Sequence, residues 1–304
     1  MKKILIVVLI ALILSSFLSC RNGITIDDAK PKIVVTYSIL GSVVKDLVGE
    51  QANVIVSIPN GLDPHEWTPS AKDIEAINKA DLVICNGLGL EAGMGKTLQQ
   101  AQEAGVLFFT ASDYITVRYV KTGEGIPSGD HDHTAGAADP HLWLDPLAMK
   151  SIVAGLAGVL QTELNMDVAV QAANLENELD NLNGEIAGIL SVIPPENRKL
   201  VTGHEAMGYF AERYGFSLVG VIIPSLSSQA ESSAADMAAV KKAIEDNGVK
   251  AIFTEPGVSP DIAETIGNET GARVIELAIP VLPDDGSYFT FLTGIADTIA
   301  EALK

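Results

Sequence analysis

One alternation, run through twice, constrains this chain more than any other feature of it. Short β-branched runs at Ile33 to Tyr37, Val54 to Ile58, Leu82 to Cys85 and Val106 to Thr110 are separated by helical patterns. The scheme recurs at Lys199 to Thr202, Leu218 to Ile223, Lys250 to Thr254 and Arg273 to Leu277. Strands that alternate with helices predict parallel sheets, because parallel neighbours need a crossover long enough to hold a helix. The expected fold class is α/β: two lobes, each a parallel sheet flanked by helices. With 304 residues, 47% of them hydrophobic, the chain has material for two cores. Between the halves, Asp145-Pro146 offers an N-cap followed by proline at the first helical position. Beyond it Ile152, Leu156, Leu160, Leu164, Val168, Leu175, Leu179 and Leu182 repeat at near-helical spacing. The pattern predicts one long rigid helix over 146–188 joining the lobes, with two helices meeting near Asn165-Met166-Asp167 as the alternative. The N-terminal lobe is then 20–145 and the C-terminal lobe 189–304.

The first residues read as an address. Met1-Lys2-Lys3 is a positive start, Ile4 to Leu14 is an unbroken apolar run, and small residues lead to Cys20. Residues 1–19 are expected to be a secretory signal peptide, although an uncleaved anchor would have a similar pattern. A cysteine at this point resembles a bacterial lipobox, with Phe17 where leucine is usual, so Cys20 is the candidate lipidation site. A soluble exported protein with an incidental Cys20 is the alternative. The expected location is the periplasm or the outer face of the cytoplasmic membrane. The only other cysteine, Cys85, sits in an apolar run and is expected to pack as a small hydrophobe.

Charge narrows the partners. The chain carries 20 Lys+Arg against 39 Asp+Glu, a formal net charge of −19, and no basic run exceeds two residues. Nucleic acid is excluded as a partner, since neutralising phosphates needs a basic face. Cations are the natural ligands of such a surface, and two cysteines are too few for a disulfide scaffold or a zinc-finger array.

Two of the five histidines lie in near-duplicate phrases, Asp63-Pro64-His65-Glu66-Trp67 and Asp139-Pro140-His141-Leu142-Trp143, which also hold both tryptophans. Proline fixes its own φ and holds the preceding aspartate extended, so each imidazole projects from stiffened backbone. A third, His204, follows the strand pattern at Lys199 to Thr202, at the mirrored place in the second half. His204-Glu205 does not begin a zincin motif, because position 208 is glycine where a second histidine is required. Three neutral imidazoles suit Zn²⁺, whereas Mn²⁺ prefers more carboxylate. Asp63, Asp139 and Glu205 are candidates for orienting the rings. Each of these residues could instead be an ordinary turn or helix-start residue.

The phrases DPHEWTPS, NGLGLE (Asn86 to Glu91), DPHLWLDP, TGHEAMGYFAERYGF and IFTEPGVSP (Ile252 to Pro260) resemble the zinc and manganese solute-binding lipoproteins of bacterial ABC transporters, over nearly the whole chain after the leader. The resemblance implies two α/β lobes joined by a rigid helix, and one metal between them held by His65, His141 and His204. It also implies delivery of Zn²⁺, or alternatively Mn²⁺, to a membrane ABC permease, by a monomer that is not an enzyme. Family members often add a carboxylate from the loop after the last strand. Here that loop reads Ala278-Ile279-Pro280-Val281 with no acid before Asp284, so Asp284 is the candidate fourth ligand, with water or Glu255 as alternatives. The Gly/Ser/Asp-rich stretch 121–139 carries His131-Asp132-His133, where zinc-specific relatives often bear a His-rich loop. Two other readings are a secreted zinc hydrolase using Glu205 or Glu255 as general base, and a metal-retaining surface adhesin.

Overall fold

The computed structural model describes residues 29–125 and 135–304, so the leader, Cys20, His131 and His133 lie outside the described residues. The first sheet contains β1 (Lys32–Tyr37), β2 (Asn53–Ile58), β3 (Leu82–Cys85) and β4 (Phe108–Thr110), in the order β2-β1-β3-β4. The second contains β5 (Lys199–Thr202), β6 (Ser217–Val221), β7 (Ala251–Thr254) and β8 (Arg273–Glu276), in the order β6-β5-β7-β8. Every pairing is parallel, and the two sheets have the same order. All eight sequence-predicted strands are present. Their β-branched runs are continuous rather than alternating because helices cover both faces: Ile33, Val34 and Val35 of β1 are fully buried.

The helices are α1 (Ser38–Val48), α2 (Ala71–Asn78), α3 (Gly95–Glu103), α4 (Pro146–Glu163), α5 (Ala169–Leu190), α6 (Gly208–Tyr214), α7 (Ala234–Asn247), α8 (Pro260–Thr270) and α9 (Tyr288–Leu303). Local chemistry starts them where the sequence suggests. Ser70 with Asp73 and Ser233 with Asp236 form capping boxes on α2 and α7, and Asp145 caps α4 through the N–H of Leu147 at 2.9 Å.

The linking segment is not a single helix over 146–188 but the alternative, two helices meeting near Asn165-Met166-Asp167. It forms α4 and α5, broken at Leu164–Val168, where Asn165 takes a left-handed φ of 52°. Lys150 Nζ lies 2.6 Å from Asp180 Oδ2, thirty residues on. Along one straight helix that separation would span about 45 Å, so α4 and α5 fold back on each other. Periodicity does not reveal the break, because each helix carries its own apolar stripe and both stripes enter one core. The long helix that bridges the lobes is α5. It packs on α1 of the first lobe and on α9, the last helix of the chain.

The lobes are fused rather than tethered. One hydrophobic cluster runs from Ile33 and Val35 through Leu179 and Ile186 to Leu292 and Ile299, while a second, around Val201, Ile252 and Ile266, is confined to the C-terminal lobe. Ahead of α9, the Asn60 side chain donates to Leu282 O and accepts from the Leu282 N–H, both at 2.8 Å. Ser42 Oγ donates to Gly286 O at 2.7 Å.

Candidate metal centre

The strand order places β1 beside β3 and β5 beside β7, and open α/β sheets bind ligands outside the carboxyl ends of strands at such switch points. There the two lobes face each other. His65 lies in the loop after β2, His141 just ahead of α4, and His204 two residues beyond β5. Their rings converge: His141 Nε2 is 3.3 Å from His65 Nε2 and 3.1 Å from His204 Nε2. All three are at least 95% buried.

The duplicated phrase folds into a duplicated turn. Asp63 Oδ1 accepts the His65 N–H at 2.8 Å, and Asp139 Oδ1 accepts the His141 N–H at 2.9 Å. Asp139 Oδ1 also accepts from His141 Nδ1 at 2.9 Å. Across the cavity, Glu255 Oε1 accepts both the His204 N–H, at 2.8 Å, and His204 Nδ1–H. A carboxylate offers no proton, so in both rings Nδ1 carries a hydrogen and Nε2, which faces the centre, is the atom left for a metal or a second proton. Two lone pairs 3.1 Å apart repel unless a proton or a metal ion lies between them. Zn–N bonds of about 2.0–2.1 Å in a tetrahedron put neighbouring nitrogens about 3.3 Å apart, which this arrangement matches.

Electrostatics divides the three rings. Burial, with the two other imidazoles close by, pulls the His65 pKa down to about 2. Burial also lowers that of His141, against the opposing hydrogen bond and charge of Asp139. At His204 burial acts the same way, but Glu255 outweighs it and the pKa is raised. His65 and His141 are therefore neutral donors, and His204 is the ring on which a proton competes with a metal.

The cavity that the three rings face is about 10 Å³, lined by Asp63, the three histidines, Trp143, Glu255, Ile279 and Pro280 among others. That is room for about one water-sized sphere. A single metal ion fits it.

Asp284 is not brought to the histidines. It is exposed and borders a surface cleft with Ser42, Lys45 and Asp46, because the loop after β8 turns Ile279 and Pro280 toward the cavity before the acids are reached. The carboxylate on His204 comes from Glu255 and not from its neighbour Glu205. The register explains this: Thr202 pairs with Phe253 across β5 and β7, so His204 comes opposite Glu255 two residues past that pair. Gly203 makes the approach feasible, since a Cβ there would lie 2.6 Å from Glu255 Oε2.

Two supporting residues escaped the sequence reading. Arg118, buried, donates through Nη1 to Asp139 Oδ2 at 3.0 Å, pairs with Glu124, and lies 3.4 Å from Glu212 on α6. Gly208 leaves room for it, because a Cβ there would collide with both Arg118 and Asp139. Asn86 donates to Pro140 O at 2.8 Å, accepts from Tyr37 OH at 2.9 Å, and gives its N–H to buried Glu91 at 2.6 Å. The end of β3 thereby holds the backbone next to His141. The NGLGLE phrase marks Asn86 in the sequence; an isolated arginine in a loop carries no comparable mark. Between the lobes, Arg213 forks onto Asp145 at 2.9 and 2.6 Å.

A family described as "ZnuA: Zinc-uptake complex component A periplasmic" matches residues 33–302. The manganese-binding lipoprotein MntA of Halalkalibacterium halodurans is 29% identical over 90% of this chain and 88% of its own. The high-affinity zinc uptake system protein ZnuA of Bacillus subtilis is 29% identical over 84% of this chain and 82% of its own. The solved structure of the periplasmic zinc-binding protein TroA from Treponema pallidum superposes with a TM-score of 0.75 at 26% identity, covering 90% of this chain and 99% of that one. The family match over 33–302 and the likeness of fold place the chain in the ZnuA/TroA-like cluster A-I family of metal-binding solute-binding proteins of ABC transporters.

Proposed function

We propose that this protein captures Zn²⁺ with His65, His141 and His204 and hands it to its permease. At the level of the family, the chain is an extracytoplasmic metal-binding protein that delivers a divalent metal to an ABC permease; it is not an enzyme. The choice of metal rests on the donors. Relatives named for zinc and for manganese both match this chain, but the loop after β8, from which the resemblance implies a carboxylate, turns Ile279 and Pro280 to the cavity. The grouped donors are three imidazoles, and the carboxylates on the cavity wall are engaged, Asp63 by the His65 N–H and Ser228, and Glu255 by His204. The donor set is therefore rich in nitrogen and favours zinc over manganese.

The observation that carries this reading is the convergence of three buried Nε2 atoms, with His141 3.3 Å from His65 and 3.1 Å from His204, and with the Nδ1 atoms of His141 and His204 held by Asp139 and Glu255 so that both rings turn Nε2 to one point. Capture needs no covalent chemistry: the acidic surface attracts cations, and the neutral imidazoles replace water on the metal. Cys20 is the proposed lipid anchor that keeps the protein beside the permease. Competition between the two metals tests the proposal. Protein offered equimolar Zn²⁺ and Mn²⁺ and then desalted is expected to retain one zinc and little manganese; retention of manganese in preference would overturn the choice of metal.

A further inference from the structure

We infer that Ser228 and Gln229 are positioning residues for His65 and set how fast the metal leaves. The inference rests on the reading of His65 as a ligand.

The three rings are not held alike. His141 is backed by Asp139 and His204 by Glu255, each through Nδ1. Among the described residues, no carboxylate backs His65 in this way. Histidines that bind metals usually donate their other ring nitrogen to such a partner, which fixes the orientation of the ring. His65 is instead oriented through its backbone. Its N–H is held by Asp63 Oδ1 at 2.8 Å, and its carbonyl accepts from Gln229 Nε2 at 2.9 Å. The second oxygen of Asp63 accepts from Ser228 Oγ.

Both donors belong to the opposite lobe, in the loop between β6 and α7. The base of that loop is fastened beside another ligand, because Ser225 O accepts the N–H of Glu205, next to His204, at 3.0 Å. Ser225 Oγ accepts the Ser227 N–H at 3.0 Å and shapes the turn toward Ser228. Five residues, Ser225 to Gln229, therefore form a strap from the His204 segment to the His65 segment. Cutting the strap frees the one ring that has no carboxylate behind it, while the Nε2 lone pairs of His141 and His204 that meet the incoming ion are unchanged. The effect therefore falls on dissociation, where affinity differences within one site generally appear.

The experiment measures zinc dissociation from the loaded protein by rapid mixing with excess chelator. Ser228→Ala/Gln229→Ala is expected to release zinc about tenfold faster or more, within the range seen when orienting partners of metal-bound histidines are removed. Ser228→Thr, which keeps the hydroxyl, is expected to dissociate at close to the unaltered rate. In a His65→Ala background the same double substitution is expected to add nothing. An unchanged rate in Ser228→Ala/Gln229→Ala, or the same acceleration with and without His65, would overturn the inference while leaving the three-histidine site intact. Unchanged zinc affinity in His65→Ala alone would overturn both.

Discussion

Glu255 takes two hydrogen bonds from a single residue, the backbone N–H of His204 at 2.8 Å and its Nδ1–H. One carboxylate oxygen thus fixes both the turn after β5 and the tautomer of the ring. Glu255→Gln keeps the size but weakens the acceptor and removes the charge that raises the His204 pKa. Zinc affinity is expected to fall about 10- to 100-fold with the stoichiometry unchanged, measured by competition with a chelating dye.

Protons compete at His204. Its pKa is raised by Glu255, so below that value a metal must displace a proton, and above it none remains to be displaced. His65, held down to about 2, and His141, also lowered, add no such proton at working pH. Affinity is therefore expected to fall as pH drops, with release of about one proton per metal near pH 6. Calorimetry in two buffers of different ionisation enthalpy counts that proton; affinity independent of pH would contradict the assignment.

Arg118 compensates the fully buried charge of Asp139. Removing one partner of a buried ion pair leaves the other without compensation, so Arg118→Met is expected to cost about 3–5 kcal/mol of stability in denaturant unfolding. The remaining protein is expected to bind zinc more weakly, because Asp139 is what holds the His141 ring.

The loop after β8 offers two opposite tests. Asp284→Ala is expected to leave zinc affinity unchanged, since Asp284 faces solvent away from the cavity. Ile279→Asp is expected to raise manganese affinity relative to zinc by supplying an oxygen donor at the cavity wall. Competitive titration with both metals reads each outcome.

What the sequence disclosed follows from how local each signal is. The eight strands are legible because a β-branched run bounded by helical patterns has one stable solution, and the histidines because a repeated Asp-Pro-His carries its own turn. Glu255 was recoverable in principle, from the register that sets Thr202 against Phe253. Arg118 and Ser228 were not, because each meets its partner across long sequence separations, through loops with no periodicity. The break between α4 and α5 falls where the sequence allows two helices to meet, near Asn165-Met166-Asp167, but periodicity alone does not choose that reading over a single helix. Two apolar stripes entering one core have the same spacing as a single stripe on a longer helix, and only Asn165 at φ 52° marks the turn.

The central claim is that one metal is held by three histidines drawn from both lobes. Its most direct test is a zinc titration with elemental analysis of the protein beside His65→Ala, His141→Ala and His204→Ala. The account predicts one tightly bound zinc per chain, weakened by each of the three substitutions. Tight zinc binding that is indifferent to these histidines would contradict it.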